Sequence, residues 1–124
     1  MKSDRNLVAH LLRRAGFGAT AIELDQLTSE KSYEDIVDDL VNPERFTDIG
    51  DDFIDRYYSG EGPASYVGKW LYRMINTNHP LQEKMALFLH QIFPVAWGKS
   101  EHGPSIFTEI DTFRKVGLSS FKTI

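Results

Sequence analysis

His79, Glu83 and His90 are the residues of this 124-residue chain whose types and spacing could do chemistry. At 100° per residue they fall within about 40° of one another on a single helix face. Two imidazoles and a carboxylate on one face suit either metal ligation or acid–base work. The axial rise narrows the choice. At 1.5 Å per residue, Glu83 and His90 stand about 10 Å apart along a helix, whereas the ligands of one metal each lie about 2 Å from it. His79 and Glu83, about 6 Å apart, could share an ion, but His79 precedes Pro80 and falls outside the helix. No metal site is therefore assigned, and Glu83 and His90 stand as the candidate catalytic groups. Structural roles compete with chemistry here. Glu83 in a first helical turn meets the positive end of the helix dipole, and it can pair with Arg13, Arg14 or Arg73. His90 can serve as a hydrogen-bonded core histidine.

A second polar group, His10, Arg13 and Arg14, lies where a first helix should end. Basic side chains there favourably meet the helix carbonyls. The same three residues, completed by the backbone of Gly16 to Gly18, could instead bind an anionic ligand. Arg114 follows Asp111 by three residues, the spacing of a local ion pair. No phosphate-binding glycine loop, paired-histidine zinc helix, nucleophile elbow or calcium loop occurs in the sequence, and the cofactor stays unknown.

The elements that must position these groups read as helices. Ser3 or Asp4 can cap a first helix with Leu7, Val8, Leu11 and Leu12 as its apolar stripe, and Gly16 or Gly18 can close it. Thr20 to Glu23 is a capping box opening a helix that carries Leu24 and Leu27. Ser32 caps the next, Tyr33 to Val41, which Pro43 stops. Residues 44–62 read as a linker with a short amphipathic helix around Phe53, Ile54 and Tyr57. Pro63 opens a run with Val67, Trp70, Leu71 and Met74 at helical spacing. A helix from Leu81 to Phe93 is apolar almost all round and belongs at the centre. Trp97 and Lys99 lead into a loop. A last helix, about Ser105 to Val116, turns Ile106, Ile110 and Phe113 inward, and Ser119-Ser120 looks like the cap of one more. The expectation is an all-α, irregular bundle of about six to seven helices around Leu81 to Phe93, forming one domain over 1–124.

Composition supports this. The chain is 41% hydrophobic, with 8 Phe, 5 Tyr and 2 Trp, enough for a core. It has no cysteine, which excludes disulfides, thiol catalysis and zinc–thiolate sites. No apolar run approaches the roughly 20 residues that cross a bilayer, and nothing from Met1 to Arg14 resembles a secretion signal. The default compartment is cytoplasmic, with export open if a signal was removed. The net charge of −4 argues against nucleic-acid binding. It is unevenly placed. Thirteen acids and three bases lie between Ala21 and Glu61, giving −10, and the remainder carries +6. That is a solvated or internally paired acidic face, or a docking surface for a basic partner.

Three blocks of residues resemble one family. The first is His10-Leu11-Leu12-Arg13-Arg14-Ala15-Gly16-Phe17-Gly18-Ala19-Thr20 followed by Glu23-Leu24. The second is Trp70, Arg73-Met74, and the run His79 to His90. The third is Lys99, Phe113-Arg114 and Gly117 to Phe121. In this order they resemble the bacterial domain-of-unknown-function family numbered eighteen hundred. The acidic stretch from Glu44 to Glu61 matches it poorly. Leu89 stands where the family commonly has tryptophan, and Ile92 where it often has a second histidine. Family members are much longer, so the resemblance implies a helical fold and the N-terminal fragment of a longer protein. It implies no activity.

Three functions follow. The first is a helical structural or interaction module without self-contained catalysis. An exposed apolar patch would then be covered by self-association or by the missing C-terminal part. The second is part of a hydrolase-like or metal-dependent enzyme using Glu83 and His90. The third is anion binding at Arg13, Arg14 and the Gly16 to Gly18 loop.

Overall fold

The computed structural model describes residues 4–60 and 62–124. Among them are eight α-helices, one short 3-10 helix and no strand. The helices are α1 (Arg5–Ala15), α2 (Ala21–Glu30), α3 (Tyr33–Val41), α4 (Asp51–Tyr57), α5 (Pro63–Asn76), α6 (Pro80–Ile92), α7 (Trp97–Ser100) and α8 (Gly103–Val116). The chain is all-α, and α6 is its hub: it packs against α1, α3, α5 and α8.

Local chemistry sets the helix ends. Asp4 caps α1 by accepting from the amides of Asn6, at 2.8 Å, and Leu7, at 3.4 Å. Ser3, the other cap considered, lies outside the described residues. Gly18 takes φ +95°, the conformation that reverses the chain after α1, and its amide donates to the Leu12 carbonyl at 3.2 Å. The Thr20 capping box forms in full, with the Thr20 amide donating to Glu23 at 2.7 Å and the Glu23 amide to the Thr20 hydroxyl at 3.3 Å. Ser32 and Asp35 build a second one on α3. Pro43 ends α3 and opens the 3-10 turn Pro43–Arg45.

Seven of the eight helices match the expected segments. The eighth, α7, is four residues long and has no apolar period of its own. Tertiary packing holds it: the Trp97 and Tyr66 rings lie 6.0 Å apart, and both press on Gly103, where an added Cβ would come within 2.2 Å of Tyr66. The stretch 44–62 carries its expected short helix as α4, and its Asp48 is tied to α5 and the α5–α6 turn.

The apolar interior has two parts. Val8, Leu12, Leu24 and Ile36 form one cluster where α1, α2 and α3 meet. Ala86, Leu89 and Phe113 form the other, between α6 and α8. Burying each large aliphatic side chain contributes about 1.5–3 kcal/mol. The stripe on α5 departs from expectation: Val67 and Leu71 are exposed, whereas Arg73 is 7% exposed. The reason is that Arg73 turns toward Asp48 and Asp51, in the loop before α4 and at its start, and is covered there.

No helix is long and apolar enough to cross a membrane among the described residues.

Candidate functional site

Glu83 sits in the first turn of α6, after Pro80, with its amide donating to the His79 carbonyl at 3.3 Å. Its side chain is 0% exposed. Every oxygen is engaged. Oε1 accepts from Nε of Arg114, and Oε2 accepts from Nη2 of Arg114 at 3.3 Å and from the indole Nε1 of Trp70 at 3.2 Å. One residue from each of α5, α6 and α8 thus meets at a buried carboxylate. Arg114 continues outward, donating through Nη1 to Asp111 at 2.9 Å, and Asp111 also receives Lys115 at 2.5 Å.

The electrostatics follow from this chain of partners. Burial disfavours the Arg114 cation, but hydrogen bonding and charge attraction from Glu83, then Asp111, hold its pKa above the ordinary arginine value. Burial likewise pushes Asp111 upward, and Lys115 and Arg114 outweigh it, leaving that carboxyl below the usual range. Glu83 lies at the positive end of α6, which adds to the stabilisation. All three hydrogen bonds of the buried Glu83 carboxylate come from side chains on other helices. The arrangement is a rivet between three helices.

His90 lies two turns further along α6. Its ring meets Trp70 edge-on at 5.4 Å and 81°. Its Nδ1 is 4.0 Å from Oε2 of Glu109, beyond hydrogen-bond reach, and both of these buried atoms lack a partner. His90 and Glu83 therefore share Trp70 as a neighbour without touching one another in any hydrogen bond.

His79 goes elsewhere. Its Nε2 donates to the Phe46 carbonyl at 2.7 Å, and its Nδ1 pairs with the Gln82 amide oxygen at 3.0 Å. It belongs to a clamp centred on Asp48. That carboxylate accepts from the Thr77 hydroxyl at 2.9 Å, the Asn78 amide at 3.2 Å and Arg73 at 3.4 Å. Arg73 also pairs with Asp51. Burial pushes the Asp48 pKa up, but bonds from the Ile49 amide, Thr77 and Asn78, with the charge of His79, bring it below the usual carboxylate range. Among the described residues, no group of three or more His, Asp or Glu is placed to hold a metal ion.

His10, Arg13 and Arg14 are all exposed, and none makes an ion pair among the described residues. Only Arg13 lines the large open cleft, of about 1050 Å³, between the α1–α2 region and α5. Leu24, Leu27, Leu71, Met74 and Ile75 supply its apolar walls. The Gly18 amide donates to the Leu12 carbonyl. Neither Glu83 nor His90 lines this cleft.

Sequence reasoning paired Glu83 with Arg13, Arg14 or Arg73 and missed Arg114, 31 residues away. It also missed Asp48. One signal was present for each arginine. Arg114 falls four residues after Ile110 and beside Phe113, on the buried stripe of its helix, and Arg73 falls three after Trp70. A cation on an apolar stripe needs a buried anion. Asp48, in an acidic loop, carried no such mark.

No curated protein and no solved structure matches the chain. The family described as "Protein of unknown function (DUF1800)" matches residues 10–124, almost the whole length. Its match takes in Trp70, Glu83 and Arg114, the residues that build the charged centre. The chain belongs to the DUF1800 family.

Proposed function

We propose that this chain is a helical packing and interaction module, in which the charged centre serves the fold and the outer apolar faces serve a second polypeptide. The observation that carries this reading is the state of Glu83: fully buried, with Arg114 and Trp70 on its oxygens, it is committed to joining helices. The exposed apolar residues supply the faces. Phe88 and Ile92 lie one turn apart on α6, Phe93 follows, and Leu71 and Ile75 lie one turn apart on α5, with Ile75 79% exposed. Apolar surface left open in this way marks an interaction site. The polypeptide that covers it is a second copy or the C-terminal part of a longer family protein. Size-exclusion chromatography with light scattering, together with a hydrophobic dye, tests the reading. Self-association or strong dye binding is expected. A monomer that binds no dye would overturn it.

A second reading, part of a hydrolase-like or metal-dependent enzyme, draws support from one observation. His90 Nδ1 and Glu109 Oε2 are buried and unpartnered at 4.0 Å, an arrangement that native proteins rarely leave without purpose. Elemental analysis and mass spectrometry of the unwashed protein separate the two. Stoichiometric metal lost in His90→Ala would favour the enzyme. The cytoplasm is the default compartment of the first reading, and recovery in a membrane or exported fraction would overturn that assignment.

A further inference from the structure

α7 and α8 meet at the turn Glu101-His102, and little holds that turn. Glu101 takes φ +49°, a left-handed conformation that strains any residue but glycine. The start of α7 has no side-chain cap. His102 ties the turn to α8 instead. Its ring Nδ1 stands 3.3 Å from the Ser105 amide and 2.7 Å from the Ser105 hydroxyl. An amide N–H can only donate, so Nδ1 is the bare nitrogen and the ring proton sits on Nε2. His102 is thus the N-cap of α8, an imidazole in the place that an Asn, Asp or Ser oxygen ordinarily fills. Among the described residues no other side-chain hydrogen bond reaches the turn. Directly after the cap, Gly103 lies under two rings, where an added Cβ would come within 2.2 Å of Tyr66 and 2.6 Å of Trp97. Tyr66 also meets Phe107 at 5.7 Å. The seat of Trp97 therefore depends on the first residues of α8 staying helical.

We propose that His102 is a pH-sensitive cap, which fastens the joint between α7 and α8 when neutral and releases it when protonated. Imidazole is the side chain whose charge ordinarily changes between about pH 5 and pH 8. A second proton, on Nδ1, removes the acceptor that the Ser105 amide uses. It also places a cation at the positive end of the α8 dipole. Both effects act in the same direction, and no ion pair offsets them. Lys99 on α7 and Glu101 in the turn are the charged residues beside His102 in the chain. The first turn of α8 carries no acid. α5 brings Lys69, which pairs with Asp55 at 2.7 Å and lies over the Tyr66 and Phe107 rings. None of these forms an ion pair with His102 among the described residues. Acidification thus frees the strained turn and the Trp97 ring together.

NMR of the whole chain from about pH 8 to about pH 5 tests the proposal. The Ser105 amide signal should shift with the His102 ring signals, and the Trp97 indole signal should move over the same range. Protection of the Ser105 amide from hydrogen exchange should fall by roughly fivefold. Two variants isolate His102 from the other histidines. His102→Asn supplies an oxygen cap that does not titrate, and should keep the protection while abolishing its pH dependence. His102→Ala should show the lowered protection at both ends of the range. His102 is exposed, so both variants keep the fold, as circular dichroism can verify. An unmoved Ser105 amide, a Trp97 signal that does not follow it, or the same pH dependence in His102→Asn would each overturn the proposal.

Discussion

The two halves of the interior solve the same packing problem with opposite chemistry. Where α1, α2 and α3 meet, Val8, Leu12, Leu24 and Ile36 form a purely aliphatic cluster. Where α5, α6 and α8 meet, the apolar cluster of Ala86, Leu89 and Phe113 is joined by Glu83, the largest fully buried side chain, held by Arg114 and Trp70. Aliphatic contacts are non-directional and tolerate small shifts. A buried ion pair fixes geometry, because a misplaced charge has no alternative partner. The first half can be rearranged by degrees, whereas the second is either assembled or broken.

The sharpest way to break that contrast is Arg114→Ala. It leaves the Glu83 charge buried and unpaired, and urea denaturation should show a loss of about 3–5 kcal/mol. Replacing both partners, Glu83→Met with Arg114→Leu, should recover most of it, since a well-packed apolar pair is often neutral or stabilising. Failure of that rescue would point to a role beyond packing. On the aliphatic side, Ile36→Ala should cost about 3 kcal/mol through lost burial and a cavity. A loss well below that would mean the N-terminal cluster relaxes more freely than its burial implies.

Asp48 tests the clamp joining the two halves. Asp48→Asn should cost about 1–2 kcal/mol at neutral pH through weakened hydrogen bonds. Because the folded pKa lies below the unfolded value, near 4, the contribution of Asp48 is fully present above about pH 4 and fades as the pH falls through the folded value. The variant should therefore lose less stability than the parent between neutral and acid pH. An unchanged acid limb would remove the clamp from the account. The smallest effect is expected at His90 and Glu109. Converting both to leucine should change stability by no more than about 1 kcal/mol, in the stabilising direction if their unpaired atoms cost energy now. A large loss would mean that a hydrogen-bond partner links them in solution.

Much of the helical layout was legible in the residues themselves. Caps such as Thr20 with Glu23 and stops such as Pro43 act within one turn, so local spacing reveals them. The short α7 was not legible, because its hold comes from Tyr66 and Gly103. The candidate pair Glu83 and His90 was found as residue types on one face, but its meaning was not. Arg114 is the partner that Glu83 meets, and no pattern around residue 83 points to residue 114. His10, Arg13 and Arg14 were read as a group, while the fold gives Arg13 alone a place in the cleft.

By itself the sequence determined most of the helices and their caps, because those depend on interactions within about four residues. Only the tertiary structure decided which buried charges meet, and so that Glu83 faces Arg114. A buried carboxylate takes its character from donors brought in by other helices, and their arrival depends on the packing of the whole chain.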